Sequence, residues 1–455
     1  MLVYFVNHST APINLGGAER SLIKLVEDWY ASDPDFEAVF ITKHPRGQFI
    51  RALEERDWAF RSFRYRGWTV PRNPAPLSEM TYFAREDYAS TRMIVEMMEE
   101  RRPDLVVTNT IVAPWGALAA KLLGIPHAWM VREYGDLDHG LAFQTSRAQT
   151  FSDIGLLSEA VFANSLAVKS HIGQYLDESK VTVVYPQIDT SRLAEQTAEP
   201  LPVPAFPGAG PDDLKITVVG RLSDTKGQWR VVDALGALKE RGAQAHLSLV
   251  GSWTDNDYDL QLRDRARALG VEAQLTIVGE QENPFPFVAA ADVCVTASTM
   301  EAFGRTTLEY MLSGKPAVAS TGGGGSELVV DGETGALFDP EQTSSLVEAL
   351  MRYVTDRASI AVHGAAARDR ALELMTSEYS NLRAIERLRR TAALTEVYRL
   401  PQISRHWFAL PGYFHSMSKT GSQQITASFI ATRLKGRAKN YAKKPVAALR
   451  RALRK

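Results

Sequence analysis

Glu301 and Glu309, separated by seven residues, flank Phe303 and Gly304, and upstream Arg221 and Lys226 lie in the stretch Gly220-Arg221-Leu222-Ser223-Asp224-Thr225-Lys226-Gly227. Arginine grips a phosphate with two donors and lysine adds a point charge. A loop containing glycine that opens a helix leaves backbone N–H groups free at the positive end of a dipole, which suits an anion. Carboxylates on the same frame suit sugar hydroxyls. Together these types fit a bound diphosphate with hydroxylated groups on either side. An eight-residue offset between acids is by itself common on solvated helices, and a lone Arg or Lys is more often a surface residue.

Elements must hold these groups. Val293-Cys294-Val295 reads as a buried strand, and Leu308, Met311 and Leu312 give a helix face. A helix starting near Phe303 puts Glu309 about two turns along. Lys215–Val219 predicts another strand, ending at Gly220, with a helix from Gln228. At the other end of the chain, Leu2–Val6 reads as a first strand. Gly16-Gly17-Ala18-Glu19 then leads into a helix, a turn that lets a ligand approach the backbone closely. It is not G-x-G-x-x-G, so a dinucleotide is not indicated, and no Walker loop is present.

Ser-x-x-Glu-x-Phe-Gly, then Ser-Gly-Lys-Pro-Ala-Val-Ala-Ser, then the glycines 322–325 and Glu327, resembles the Glu-x7-Glu region of retaining GT-B glycosyltransferases, most closely glycosyltransferase family 4. The resemblance covers residues 1–398 and is strongest over 216–335. It implies an α/β protein of two Rossmann-like, doubly wound parallel-sheet domains facing across a cleft. It implies transfer of a sugar from a nucleotide-diphosphate donor to a hydroxyl acceptor with retention, in cell-surface polysaccharide or glycolipid synthesis. Arg221, Lys226 and Glu301 would be catalytic. Gly17, Gly220, Gly279, Glu280, Phe303, Gly304 and Glu309 would bind donor, and Glu19, Arg132, Glu133 and His139 would line the acceptor side. No metal or cofactor is expected.

One position departs from the family. Many relatives end the strand at 126–131 with His-Asp or His-Glu, whereas this chain has Arg132-Glu133. Arginine cannot serve as a general base near neutrality. It suits a phosphate or an acidic acceptor, or a structural pair with Glu133. Two rivals therefore stay open: a nucleotide-sugar epimerase or hydrolase on the same fold, and a non-catalytic binding subunit of a polysaccharide assembly complex.

The expected organisation is an N-terminal domain over 1–190, a Pro-rich linker over 191–213 and a second domain over 214–376. A crossing helix over 377–398 and a basic tail over 399–455 complete it. From Val397 onward there are 13 Lys/Arg and no Asp/Glu, so the first 396 residues carry a net charge of −14. Such a tail suits an anionic membrane surface, or is simply a solvating tail, rather than a nucleic-acid binder. Arg and aromatic residues between 61 and 76, including Tyr65 and Trp68, suggest an acceptor-lining loop. The one cysteine, Cys294, allows no intrachain disulfide. With no secretory leader pattern and no apolar run of membrane-spanning length, a cytoplasmic setting is expected, peripheral to the membrane through the tail.

Overall fold

Short runs of β-branched and aromatic residues alternate with amphipathic helices along the chain, the pattern of parallel sheets buried on both faces. The structure, a computed structural model, describes residues 1–401 except 10, 12–14, 71–76 and 254–256, together with 403 and 404. The described residues form fifteen strands: β1 (Leu2–Asn7), β2 (Glu37–Thr42), β3 (Ala59–Ser62), β4 (Thr69–Val70), β5 (Leu105–Thr108), β6 (His127–Val131), β7 (Ala142–Phe143), β8 (Ala160–Ala163), β9 (Val181–Val183), β10 (Leu214–Val219), β11 (Ala245–Val250), β12 (Leu275–Gly279), β13 (Val293–Thr296), β14 (Ala317–Ser320) and β15 (Gly335–Phe338). β4 and β7 pair antiparallel as a small ribbon. The others form two all-parallel sheets, ordered β3-β2-β1-β5-β6-β8-β9 and β12-β11-β10-β13-β14-β15.

The second order is the doubly wound 3-2-1-4-5-6 arrangement. Ligands bind such sheets outside the carboxyl ends of the strands where the order reverses. The reversal lies between β10 and β13 in the second domain, and between β1 and β5 in the first.

Each domain has its own core. In the first, Trp29 stacks on Phe36 with centroids 4.3 Å apart, beside Phe5 and Phe40. The helix Asn381–Ala392 also belongs to this core through Ala384, Ile385 and Leu388, although the helix before it, Ala358–Thr376, packs on the second domain through Ala367 and Ala371. The chain therefore crosses back to the first domain, and Asn381 fixes the crossing by donating to Asp28 at 2.7 Å.

The crossing helix is shorter than the expected 377–398. Ser377 makes a turn, accepting from the Tyr379 N–H, and the apolar contacts that support the helix end near Ala392. The expected linker is likewise not wholly irregular. Thr190–Ala198 is a helix capped by Asp189, with Leu193 buried beside Phe285 and Val288. Its prolines all lie outside that helix, at 186 and from 200 onward.

Two aromatics of the expected acceptor loop pack on the core instead, Tyr65 buried and Trp68 half-buried. Tyr65 is buried and donates to Asn7 O, and Trp68 stacks on Trp129 while its ring N–H reaches Ile111 O. Residues 71–76 of that loop and nearly all of the basic tail lie outside the described residues. No helix among the described residues is long and apolar enough to cross a membrane.

Candidate active site

At the reversal point of the second sheet, β10 ends at Gly220, with φ +148° and open space where a Cβ would point. Arg221 follows, exposed. The chain then turns back through Gly227, with φ +68°, where an added Cβ would lie 2.1 Å from Ala297 O, so there is no room for a side chain. That turn delivers Lys226 to the loop after β13, where its Nζ donates to Glu301 Oε2 at 2.7 Å and the Ser298 hydroxyl donates to the same oxygen at 2.9 Å. Burial alone would raise the Glu301 carboxyl. The Lys226 charge and these hydrogen bonds outweigh it and hold the group below the usual carboxylate range.

Gly304, in the left-handed region at φ +88°, caps a helix over Arg305–Leu312. The helix starts two residues later than the sequence suggests, because Phe303 is drawn into the core against Tyr185. Glu309 therefore sits just over one turn in, nearly buried. Its Oε1 accepts from Arg305 at 3.1 Å and from Arg20 of the first domain at 3.5 Å. Gly279 closes β12 with φ +86°, and Glu280 beyond it is exposed.

Across the cleft, Gly16 and Gly17 open the helix Gly17–Ser32. Glu19 is buried and folds back over Gly16, so a Cβ there would lie 2.5 Å from its carboxylate. A Cβ on Gly17 would lie 3.5 Å from Arg305 Cδ, so the two domains touch at this point. Arg305 also donates to the Ser21 hydroxyl and to Gln187 O.

Arg132, at the end of β6, donates from Nε to Asn109 Oδ1 at 2.6 Å. The structural pair with Glu133 does not form. Glu133 instead lies 3.8 Å from His139 Nε2, on a turn pinned by Asp138, which accepts the N–H groups of Tyr134 and Gly135. Burial, with the neighbouring Arg305 charge, lowers Arg132 to about 10. Burial, with Asp138 and Glu19 nearby, raises Glu133 to about 7.

The Glu133 shift has a stability consequence. An acid whose folded value is raised is stabilising while protonated, and that contribution is lost as pH rises from its unfolded value, about 4.3, through about 7. Glu133→Gln is expected to raise Tm more at pH 8 than at pH 4. Melting curves across that range check it, and equal shifts at both ends would refute the assignment.

Sequence reasoning missed one residue of the frame. Glu327 points away from the second domain and accepts the N–H groups of Leu166 (2.9 Å) and Ala167 (2.6 Å) and the Tyr185 hydroxyl (2.9 Å), all from the 1–190 part of the chain. The Gly-rich segment before it flanks Glu301. Glu301 N donates to Gly322 O, and Gly324 N donates to Glu301 O. The sequence places Glu327 near the site but gives no sign of its partners.

Two Rossmann-like domains with their ligand-bearing edges in contact define the GT-B class. Residues 15–192 match the Glycosyltransferase Family 4 model and residues 204–370 match the Glycosyl transferases group 1 model. The chain belongs to the GT-B glycosyltransferases of the family 4 type. It is 29% identical over 204 residues to the lipopolysaccharide core biosynthesis mannosyltransferase LpsB of Rhizobium meliloti, covering 44% of this chain and 58% of that protein. It is 22% identical over 344 residues to the lipopolysaccharide core biosynthesis glycosyltransferase LpsE of the same organism, covering 75% and 87%. Among solved structures, Anabaena HepE in complex with UDP-glucose superposes with a TM-score of 0.64 at 23% identity, covering 86% of this chain and 99% of that one.

Proposed function

We propose that this protein transfers a sugar from a nucleotide-diphosphate donor to a hydroxyl acceptor, retaining the anomeric configuration, in the synthesis of a cell-surface glycan. The observation that carries the reading is the Lys226–Glu301 pair at the β10/β13 reversal, with Arg221 on the same loop after β10. A donor diphosphate would draw Lys226 from Glu301 and take Arg221 as a second partner. Glu301 would then be free to accept from donor-sugar hydroxyls, and Glu309 would take the ribose.

The bond from the anomeric carbon to the diphosphate breaks as a bond to the acceptor oxygen forms on the same face. The leaving phosphate takes the acceptor proton. Fixed cations and the backbone N–H groups near Phe303 and Gly304 stabilise the charge that develops on that phosphate, and the reading needs no metal. Support comes from the family and from HepE, which was solved with UDP-glucose.

A donor panel tests the reading, by calorimetry and by nucleoside-diphosphate release, on the wild type and on Glu301→Ala. One donor is expected to bind at micromolar levels, with release abolished in the variant. Failure of every nucleotide sugar to bind would overturn it. Full turnover without any acceptor would favour the epimerase or hydrolase instead.

The basic tail fits a lipid-linked acceptor, because 13 cations without an acid favour an anionic bilayer surface. The full chain is expected to pellet with vesicles containing phosphatidylglycerol and not with neutral ones, and a chain ending at Pro401 with neither. Equal pelleting of the two chains would refute the role.

A further inference from the structure

The carboxyl edge of the first sheet carries cations that have no acid partner, although the first 396 residues are acidic overall. Lys43, half-buried, follows directly on β2, and Arg132 follows on β6. Arg66 lies over the Phe83 ring, its guanidinium carbon 3.4 Å from the centroid. Among the described residues no carboxylate oxygen comes within 4.0 Å of any of these three side chains.

The acids nearby are engaged elsewhere. Asp87 accepts the backbone N–H groups of Arg66 and Gly67, Asp138 those of Tyr134 and Gly135, and Glu301 holds Lys226. Glu19, which accepts from Asn7, and Glu133, which faces His139, favour the charged form of Arg132 but form no ion pair with it. His8, at the end of β1 between the cations, offers no compensation. Its Nδ1 is buried without a partner, and burial, then Lys43 and His139, push it down to about 4, so it is neutral at pH 7. Burial, then Arg66, also lowers Lys43. Lys43 and Arg132 are partly buried cations without an acid partner, a costly arrangement unless a ligand supplies the opposite charge, and Arg66 is exposed.

β2 and β6 are three strand spacings apart, roughly 14 Å, the reach of a short oligosaccharide. From this geometry we propose that the acceptor is anionic: a glycan carrying phosphate or carboxylate groups, which Lys43, Arg66 and Arg132 receive along the carboxyl edge of the first sheet. The proposal rests on the transferase reading, and donor hydrolysis, measured before any acceptor is added, tests that reading separately.

With the donor identified, turnover is compared for octyl glucoside, its 6-phosphate and octyl glucuronide. The anionic members are expected to exceed the neutral one by about ten-fold in kcat/KM, the scale of one charge-assisted hydrogen bond. The phosphate and uronate arms tell the two anions apart. Should none be accepted, the same set is read as inhibitors of donor hydrolysis. Inhibition by anionic members alone supports the proposal, and inhibition by all or by none overturns it. Lys43→Gln is expected to abolish the anionic preference in whichever readout applies, and Lys43→Arg to restore it. A neutral acceptor used as well as the charged ones, or a preference unchanged in Lys43→Gln, would overturn the proposal.

Discussion

Lys226→Ala is expected to lower kcat by about 10²–10³-fold, the range found when a preorganised donor to a developing oxyanion is removed. Two effects combine. On the proposed mechanism the leaving diphosphate loses a fixed cation, and Glu301 loses the partner that holds its carboxyl below the usual range. Burial, the opposing influence, would then act on Glu301 with only the Ser298 hydrogen bond against it, and its carboxyl would rise. The pH profile of kcat is therefore expected to fall off at a higher pH on its acid side in the variant. Lys226→Arg keeps the charge but not the point geometry, so it should recover part of the rate. Steady-state nucleoside-diphosphate release from pH 4 to 9 measures all three. A variant within a few-fold of the wild type would remove Lys226 from the chemistry.

Glu327→Ala is expected to uncouple donor breakdown from transfer. One carboxylate accepts three hydrogen bonds that link the loop after β14 to the Leu166–Ile172 helix and Tyr185. Its removal strands two N–H groups at the start of that helix and frees the Tyr185 hydroxyl. Hydrogen bonds to a charged group contribute about 1.5–3 kcal/mol each when not additive with their neighbours. The loss is thus enough to open the domain contact without unfolding either core. Because Gly322 and Gly324 bracket Glu301 through the backbone, the carboxylate proposed to hold the donor sugar would lose its frame as well.

The expected signature is a rise of about ten-fold or more in acceptor KM, a raised ratio of hydrolysis to transfer, and donor affinity within two- to three-fold of the wild type. Glu327→Gln, which keeps one acceptor oxygen, should fall between. A drop in Tm with an unchanged hydrolysis ratio would make Glu327 a structural residue only.

Much of this was legible in local pattern. The strands at Lys215–Val219 and Val293–Val295 read as apolar runs, and the turns at Gly16, Gly220 and Gly304 read as glycines between a strand and a helix. In a doubly wound sheet every strand–helix turn lies at the carboxyl edge. The sequence order of Gly-Gly-x-Glu, Gly-Arg-Leu, Lys-Gly and Glu-x7-Glu was therefore enough to bring those residues to one edge or the other. Helix boundaries were less legible. Packing of Phe303 delayed the helix that carries Glu309, Ser377 shortened the crossing helix, and Leu193 found a core that its Pro-rich surroundings hid.

By itself, then, the sequence determined the two-domain α/β architecture and the family, and it named the cations and acids proposed for the site, because those depend on periodicity and short-range spacing. Tertiary structure alone decided the pairings between distant segments. Lys226 holds Glu301, Arg20 reaches Glu309 from the other domain, Glu327 caps a helix more than a hundred residues away, and Arg132 meets Asn109 rather than Glu133. Each of these depends on how two sheets with separate cores are set against each other. That arrangement is fixed by buried contacts between residues far apart in the chain, which no local window of sequence contains.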